Sequence, residues 1–156
     1  MRPPRFTYTL WDELNASPTQ AMPAEKRLHQ LTRMWGGLAA LETSEQPSVD
    51  DWRVCSDAVN LMETLVDMGH VQDPDGLVAD CAKALADAGQ RFQRGQGLRL
   101  DGAGIRALRG VLEDYAAVLE QLPHRTMVAC HRRTERRIFG IVSGRSRPHD
   151  VRIVTI

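Results

Sequence analysis

Residues 101–123, DGAGIRALRGVLEDYAAVLEQLP, decide the fold class. Ile105, Leu108, Leu112, Tyr115, Leu119 and Leu122 recur at steps of three and four. That spacing gathers them on one helix face and excludes the alternation of a strand. Asp101 stands at the N-cap position, where a carboxylate takes an orphan backbone N–H, and Pro123 ends the helix.

Working outward, three upstream segments repeat the pattern. Leu28, Leu31, Trp35, Leu38 and Leu41 follow Pro23, a residue suited to the first helical position. Ser48, with Asp51 three residues on, caps a stripe of Trp52, Cys55, Val59, Met62 and Val66 that Gly69 ends. Asp73-Pro74 is expected to open a stripe of Val78, Cys81, Leu85, Ala88 and Phe92, stopping near Gly95. Gly36-Gly37 interrupts the first of these helices at a cost of roughly 1 kcal/mol per glycine relative to alanine. The pair therefore predicts either a neighbouring helix crossing closely or a kink.

Downstream, residues about 125–143 read as a fifth helix. Met127, Cys130, Thr134, Ile138 and Ile141 lie on one side, Arg125, Arg132, Arg133 and Arg136 on the other, and Gly144 ends it. Arg145-Ser-Arg147-Pro-His is a loop, and residues 151–156 have strand composition, matched only by residues 5–10. The two ends either pair as a small ribbon, or the tail docks on a partner or on a second copy, giving a homodimer. The chain is thus expected to be mostly α: a single-domain bundle over residues 1–156 of about five amphipathic helices, with short extended ends.

The net charge is zero, yet its distribution is lopsided. Residues 124–156 carry eight arginines against Glu135 and Asp150, a net of +6, and residues 1–123 carry −6. An acidic body and a basic C-terminal helix and tail point to a polyanion or to an internal charge partner. Eighteen of the twenty basic residues are arginine. Since that bias runs through the whole chain, it reflects a GC-rich bacterial genome, and the clustering carries the signal. The apolar stretches are short and broken by charge, and the N-terminus lacks the apolar run of a signal peptide, so a cytoplasmic protein without membrane spans is expected.

The usual catalytic patterns are missing. His124, Cys130, His131 and His149 share one third of the chain, but only His131 and Glu135 have the i,i+4 relation of neighbours on a helix, and zinc needs about four convergent ligands. Cys130 and His131 are adjacent in a helix and diverge by about 100°, which prevents a nucleophile–base pair. No Gly-x-Ser-x-Gly elbow or phosphate loop occurs. Cys55, Cys81 and Cys130 read as buried thiols. No metal, cofactor or catalytic residue is expected, and an enzyme is the least supported class.

Binding is the expected role. Arg125, Arg132 and Arg136 share one helical line, Arg133 and Arg137 a second, and Arg145 and Arg147 extend the cluster. Such a stripe has the reach to track phosphates, so nucleic acid or a nucleoprotein complex is the first expected partner. The alternative is a protein-binding adaptor or inhibitor, such as a mobile-element product that blocks a host defence complex. Its working face would be the acidic body, with Asp50, Asp51, Glu113 and Asp114. Neutralisation of the basic helix by the acidic body within the fold competes with both.

Overall fold

Side-chain caps set where the helices begin. The computed structural model describes residues 6–145, of which 72% are helical and none is in a strand. Six helices follow in order: α1 Leu10–Asn15, α2 Ala24–Thr43, α3 Val49–Asp67, α4 Leu77–Gln93, α5 Gly102–Gln121 and α6 His124–Val142. Ser48 and Asp51 form a reciprocal capping box at the start of α3, and the Asp101 carboxylate accepts from the Gly104 N–H at 2.6 Å at the start of α5. Pro123 both ends α5 and stands at the N-cap of α6. Pro23 likewise sits at the N-cap of α2, one residue before the position its sequence context suggests.

Two expected boundaries move. Helix α4 begins at Leu77 rather than beside Pro74, because Gly76, with φ of +70°, turns the chain into the helix. Asp73 still caps it from further back, accepting the Val78 N–H at 3.2 Å through either carboxylate oxygen. At the N-terminus, residues 6–9 form no strand and Leu10 opens α1, a helix the apolar spacing does not announce. Thr9 and Asp12 make a capping box there, with the Thr9 N–H on Asp12 at 2.6 Å, and this local bonding outweighs the alternation of apolar and polar residues. The other half of the expected ribbon, residues 151–156, lies outside the described residues.

Helix α3 is the centre of the bundle and packs against α2, α4, α5 and α6. Ten of its residues are buried, spread around its whole circumference. Trp52 anchors it by donating its indole N–H to the Leu85 carbonyl at 3.0 Å. Where α2 crosses α3, Gly37 is buried, and a Cβ there would meet the Asp51 carbonyl oxygen at 2.9 Å. Close crossing, not a kink, explains this glycine. Its neighbour Gly36 is exposed and faces open space. Cys55, Cys81 and Cys130 are buried free thiols, each pushed up to about 12 chiefly by burial and so held as inert neutral groups. Among the described residues no helix is long and apolar enough to cross a membrane.

Candidate functional site

Helix α6 carries five of the seven arginines of the expected stripe, and four of them bond to neighbouring parts of the body, Arg133 through a half-exposed pair. Arg125 donates to the Leu14 carbonyl at 2.7 Å and the Ala16 carbonyl at 3.2 Å, placing a cation on the exposed carbonyls that end α1. Arg132 pairs with Glu13 of α1, both side chains largely covered. Arg133 pairs with Asp67 at the end of α3 at 2.6 Å. Arg137 reaches further in and donates to the Thr64 hydroxyl at 2.8 Å. That hydroxyl also meets Thr134 at 2.7 Å and donates to the Asn60 carbonyl at 3.1 Å, making a polar seam between α3 and α6. Arg136 alone on this helix is exposed with no ion pair among the described residues, and Arg145 lies over the Phe139 ring at 5.7 Å. Arg147 lies outside the described residues.

The acidic positions are less engaged. Asp50 projects into solvent near Arg53, at 3.7 Å, while Asp51 is spent on the Ser48 cap. Glu113 and Asp114 are exposed on α5.

The N-terminal segment runs back along α6 and forms a strap. Phe6 meets Phe139 edge-on with ring centroids 6.3 Å apart, and Tyr8 meets His131 the same way at 5.2 Å. The Thr7 N–H donates to both carboxylate oxygens of Glu135 at 3.0 Å, so Glu135 serves the strap rather than His131, its i,i+4 neighbour. Helix α1 continues the strap with its charged side down. Leu10, Trp11 and Leu14 consequently face outward, at 54%, 73% and 51% exposure, and no residue of α1 is buried.

Beside the strap a cavity of about 300 Å³ opens between α2, α3, α5 and α6. Its inner wall is Met34, Ala58, Leu61, Tyr115 and His131, and Arg33 and Asp57 stand at its mouth. The Nε2 atom of His131 is buried with no hydrogen-bond partner among the described residues. Burial drives this imidazole down to about 4, against a smaller upward pull from Glu135, so it is neutral at ordinary pH. Asp57 has solvent on one side and dense protein behind it. That backing pushes its carboxyl up to about 6, opposed by Arg33 and Arg53. A larger groove between α4 and α5 differs in kind, because Lys83 there is already paired with Asp87 at 2.9 Å and Arg91 donates to the Arg99 carbonyl. Among the described residues no three His, Cys, Asp or Glu side chains gather as a metal site requires.

Sequence reasoning missed the cavity. Arg33, Asp57 and His131 are far apart in the chain, and each reads there as an ordinary surface or helix residue. The outward face of α1 was missed as well: Leu10 reads as the end of the strand-like segment 5–10, and Trp11 and Leu14 belong to no expected element. Comparison with protein-family models, curated proteins and solved structures returns no match for this chain.

Proposed function

We propose that this chain is a non-enzymatic protein-binding module, an adaptor or inhibitor, and that α1 is its contact element. The observation that carries the reading is the orientation of α1. An amphipathic helix ordinarily buries its apolar side, whereas here Glu13 is held on α6 and Leu10, Trp11 and Leu14 are offered to solvent within a sector of about 100°. Three such side chains amount to a few hundred Å², well under the roughly 800 Å² per partner of a stable interface. A second copy meeting on this face alone would not hold. A partner with an apolar groove fits better, taking Leu10, Trp11 and Leu14 as the i, i+1 and i+4 anchors of a short helix.

Nucleic acid remains the second reading, favoured by one observation: Arg136 is exposed and unpaired among the described residues, with Arg145 exposed beyond it. The engagement of Arg125, Arg132 and Arg137 supports the protein-binding reading instead, since these groups already hold partly covered partners within the fold, while Arg133 makes only a half-exposed pair with Asp67.

The test uses three baits in a bacterial lysate, each with and without nuclease treatment: wild type, Trp11→Ser/Leu14→Ser and Arg136→Glu/Arg145→Glu. A partner retained by wild type and the arginine variant but lost by the α1 variant is expected. A partner lost only with the arginines, or only with nuclease, refutes the reading.

A further inference from the structure

The cavity between α2, α3, α5 and α6 holds two opposite charges, Arg33 and Asp57, that form no ion pair or hydrogen bond among the described residues, although Arg53 also pulls on the Asp57 carboxyl. Arg33 of α2 and Asp57 of α3 face its mouth, near enough for the guanidinium to pull on the carboxyl, yet no ion pair or hydrogen bond joins them. Behind them the floor is formed by the edges of Met34, Ala58, Leu61 and Tyr115, all nearly covered by their neighbours, with Val54, His29 and Gln30 at the sides. At its inner side His131 keeps a buried, unpartnered Nε2. Buried polar atoms of this kind are nearly always bonded in folded proteins, so an orphan beside a cavity points to a missing partner.

We propose that this cavity binds a free α-amino acid with an aromatic side chain. A cation and an anion held apart at the mouth match the two halves of a zwitterion. The ligand carboxylate takes the Arg33 guanidinium, which suits it through paired N–H donors, and the ligand ammonium takes Asp57. The ring then lies over the edges of Met34, Leu61 and Tyr115, beside Val54. At about 300 Å³ the space is at the lower end of small-molecule sites, enough for one ring and too small for a nucleotide. Since Nε2 is closed off from solvent, the ligand must turn the His131 imidazole about χ2 to bring that nitrogen to the cavity, where a phenol hydroxyl supplies the missing hydrogen bond. Tyrosine is therefore favoured over phenylalanine. The strap closes one side through Thr7. This site stands whether or not a protein docks on α1.

Calorimetric titration tests the assignment with L-tyrosine, L-phenylalanine, tyramine, which lacks the carboxylate, and hydroxyphenylpropanoate, which lacks the ammonium. L-tyrosine should bind, and each half-ligand should bind roughly 10- to 100-fold more weakly. Arg33→Gln should reduce L-tyrosine to the level of tyramine, and Asp57→Asn to that of hydroxyphenylpropanoate. Both positions are exposed, so the variants should fold, and circular dichroism checks that they do. His131→Phe should abolish the preference for L-tyrosine over L-phenylalanine. Absence of binding by both amino acids at their solubility limits, half-ligands as tight as the zwitterion, or unchanged binding in Arg33→Gln and Asp57→Asn would overturn the proposal.

Discussion

Replacing His131 by phenylalanine should make the protein more resistant to acid, and the size of the effect follows from where the imidazole sits. An unfolded chain protonates His131 near pH 6.5, whereas burial in the fold delays protonation to about 4. The folded pKa is depressed, so the unfolded state binds the proton first and stability falls as pH drops from 6.5 towards 4. Below 4 both states are protonated and the loss is complete. The interval of about 2.5 units corresponds to about 3 kcal/mol at 1.36 kcal/mol per unit. Phenylalanine keeps an aromatic edge against Tyr8 and removes both the titration and the orphaned Nε2. Urea unfolding at a series of pH values provides the assay, read as the difference between wild type and His131→Phe. Asp57 works in the opposite direction: its raised pKa adds stability below about 3.8 that is lost as pH rises through about 6. It is common to both proteins and largely cancels in the difference. The variant should match or exceed wild type at pH 7 and gain steadily below 6.5. Parallel stability curves across that window would refute the reasoning, because they would mean that His131 titrates alike in the folded and unfolded chains.

Three further outcomes follow from the packing. Gly36→Ala should stabilise by up to about 1 kcal/mol, since the position is exposed, helical and unobstructed, while Gly37→Ala should destabilise by about 1–3 kcal/mol through its clash with the Asp51 carbonyl; thermal melts moving in the same direction would contradict the crossing. Thr64→Val removes the acceptor for Arg137 and Thr134 and should cost about 1–3 kcal/mol in urea, with Thr134 keeping the Cys130 carbonyl at 2.9 Å as its fallback. Glu13→Gln removes the ion pair that holds α1 down, so amide exchange in α1 should quicken several-fold with the global unfolding midpoint almost unchanged; unaltered exchange would show that Arg132 contributes nothing to docking.

Much of the bundle was legible because caps and periodicity agree. Ser48 with Asp51, Asp101 with its stripe, and Gly69, Gly95 and Gly144 all mark boundaries that local chemistry alone determines; the three glycines take positive φ of 80°, 84° and 72°. Two stripe members fail for a common reason. Leu28 and Phe92 carry the right spacing but lie near helix ends, where no neighbouring helix covers them, and they are 67% and 41% exposed. Helix α3 shows the opposite error. A single stripe was expected, while Ala58, Leu61 and Leu65 extend the buried surface around it because four helices surround it. Helix α1 was missed because six residues are too few to establish a period. The cavity was beyond reach of any such argument, since its charges and its imidazole come from three helices whose pairing no local pattern specifies.

The arginine cluster and the outward face of α1 are two aspects of one arrangement. In the sequence every arginine of α6 looks alike, and a stripe of them suggests phosphate. What separates them in the fold is what lies opposite: carbonyls and Glu13 of α1 for Arg125 and Arg132, and Asp67 and Thr64 of α3 for Arg133 and Arg137. A guanidinium suits this work because its planar fork reaches a carbonyl end or a carboxylate with directed hydrogen bonds and resists losing its proton when partly covered. Once Arg125 and Arg132 hold the polar side of α1, the helix has no freedom to roll its leucines and tryptophan inward. The charge that suggests a binding surface also orients the element which, on the proposed reading, does the binding. The two readings therefore diverge at Arg132. A phosphate-contacting Arg132 should tolerate lysine with little change in α1, because either cation attracts phosphate. A clamping Arg132 should not, because an ammonium lacks the fork that meets Glu13. Amide exchange of α1 in Arg132→Lys decides between them: faster exchange is the expected result, and wild-type exchange would return the arginines to the role their clustering first suggests.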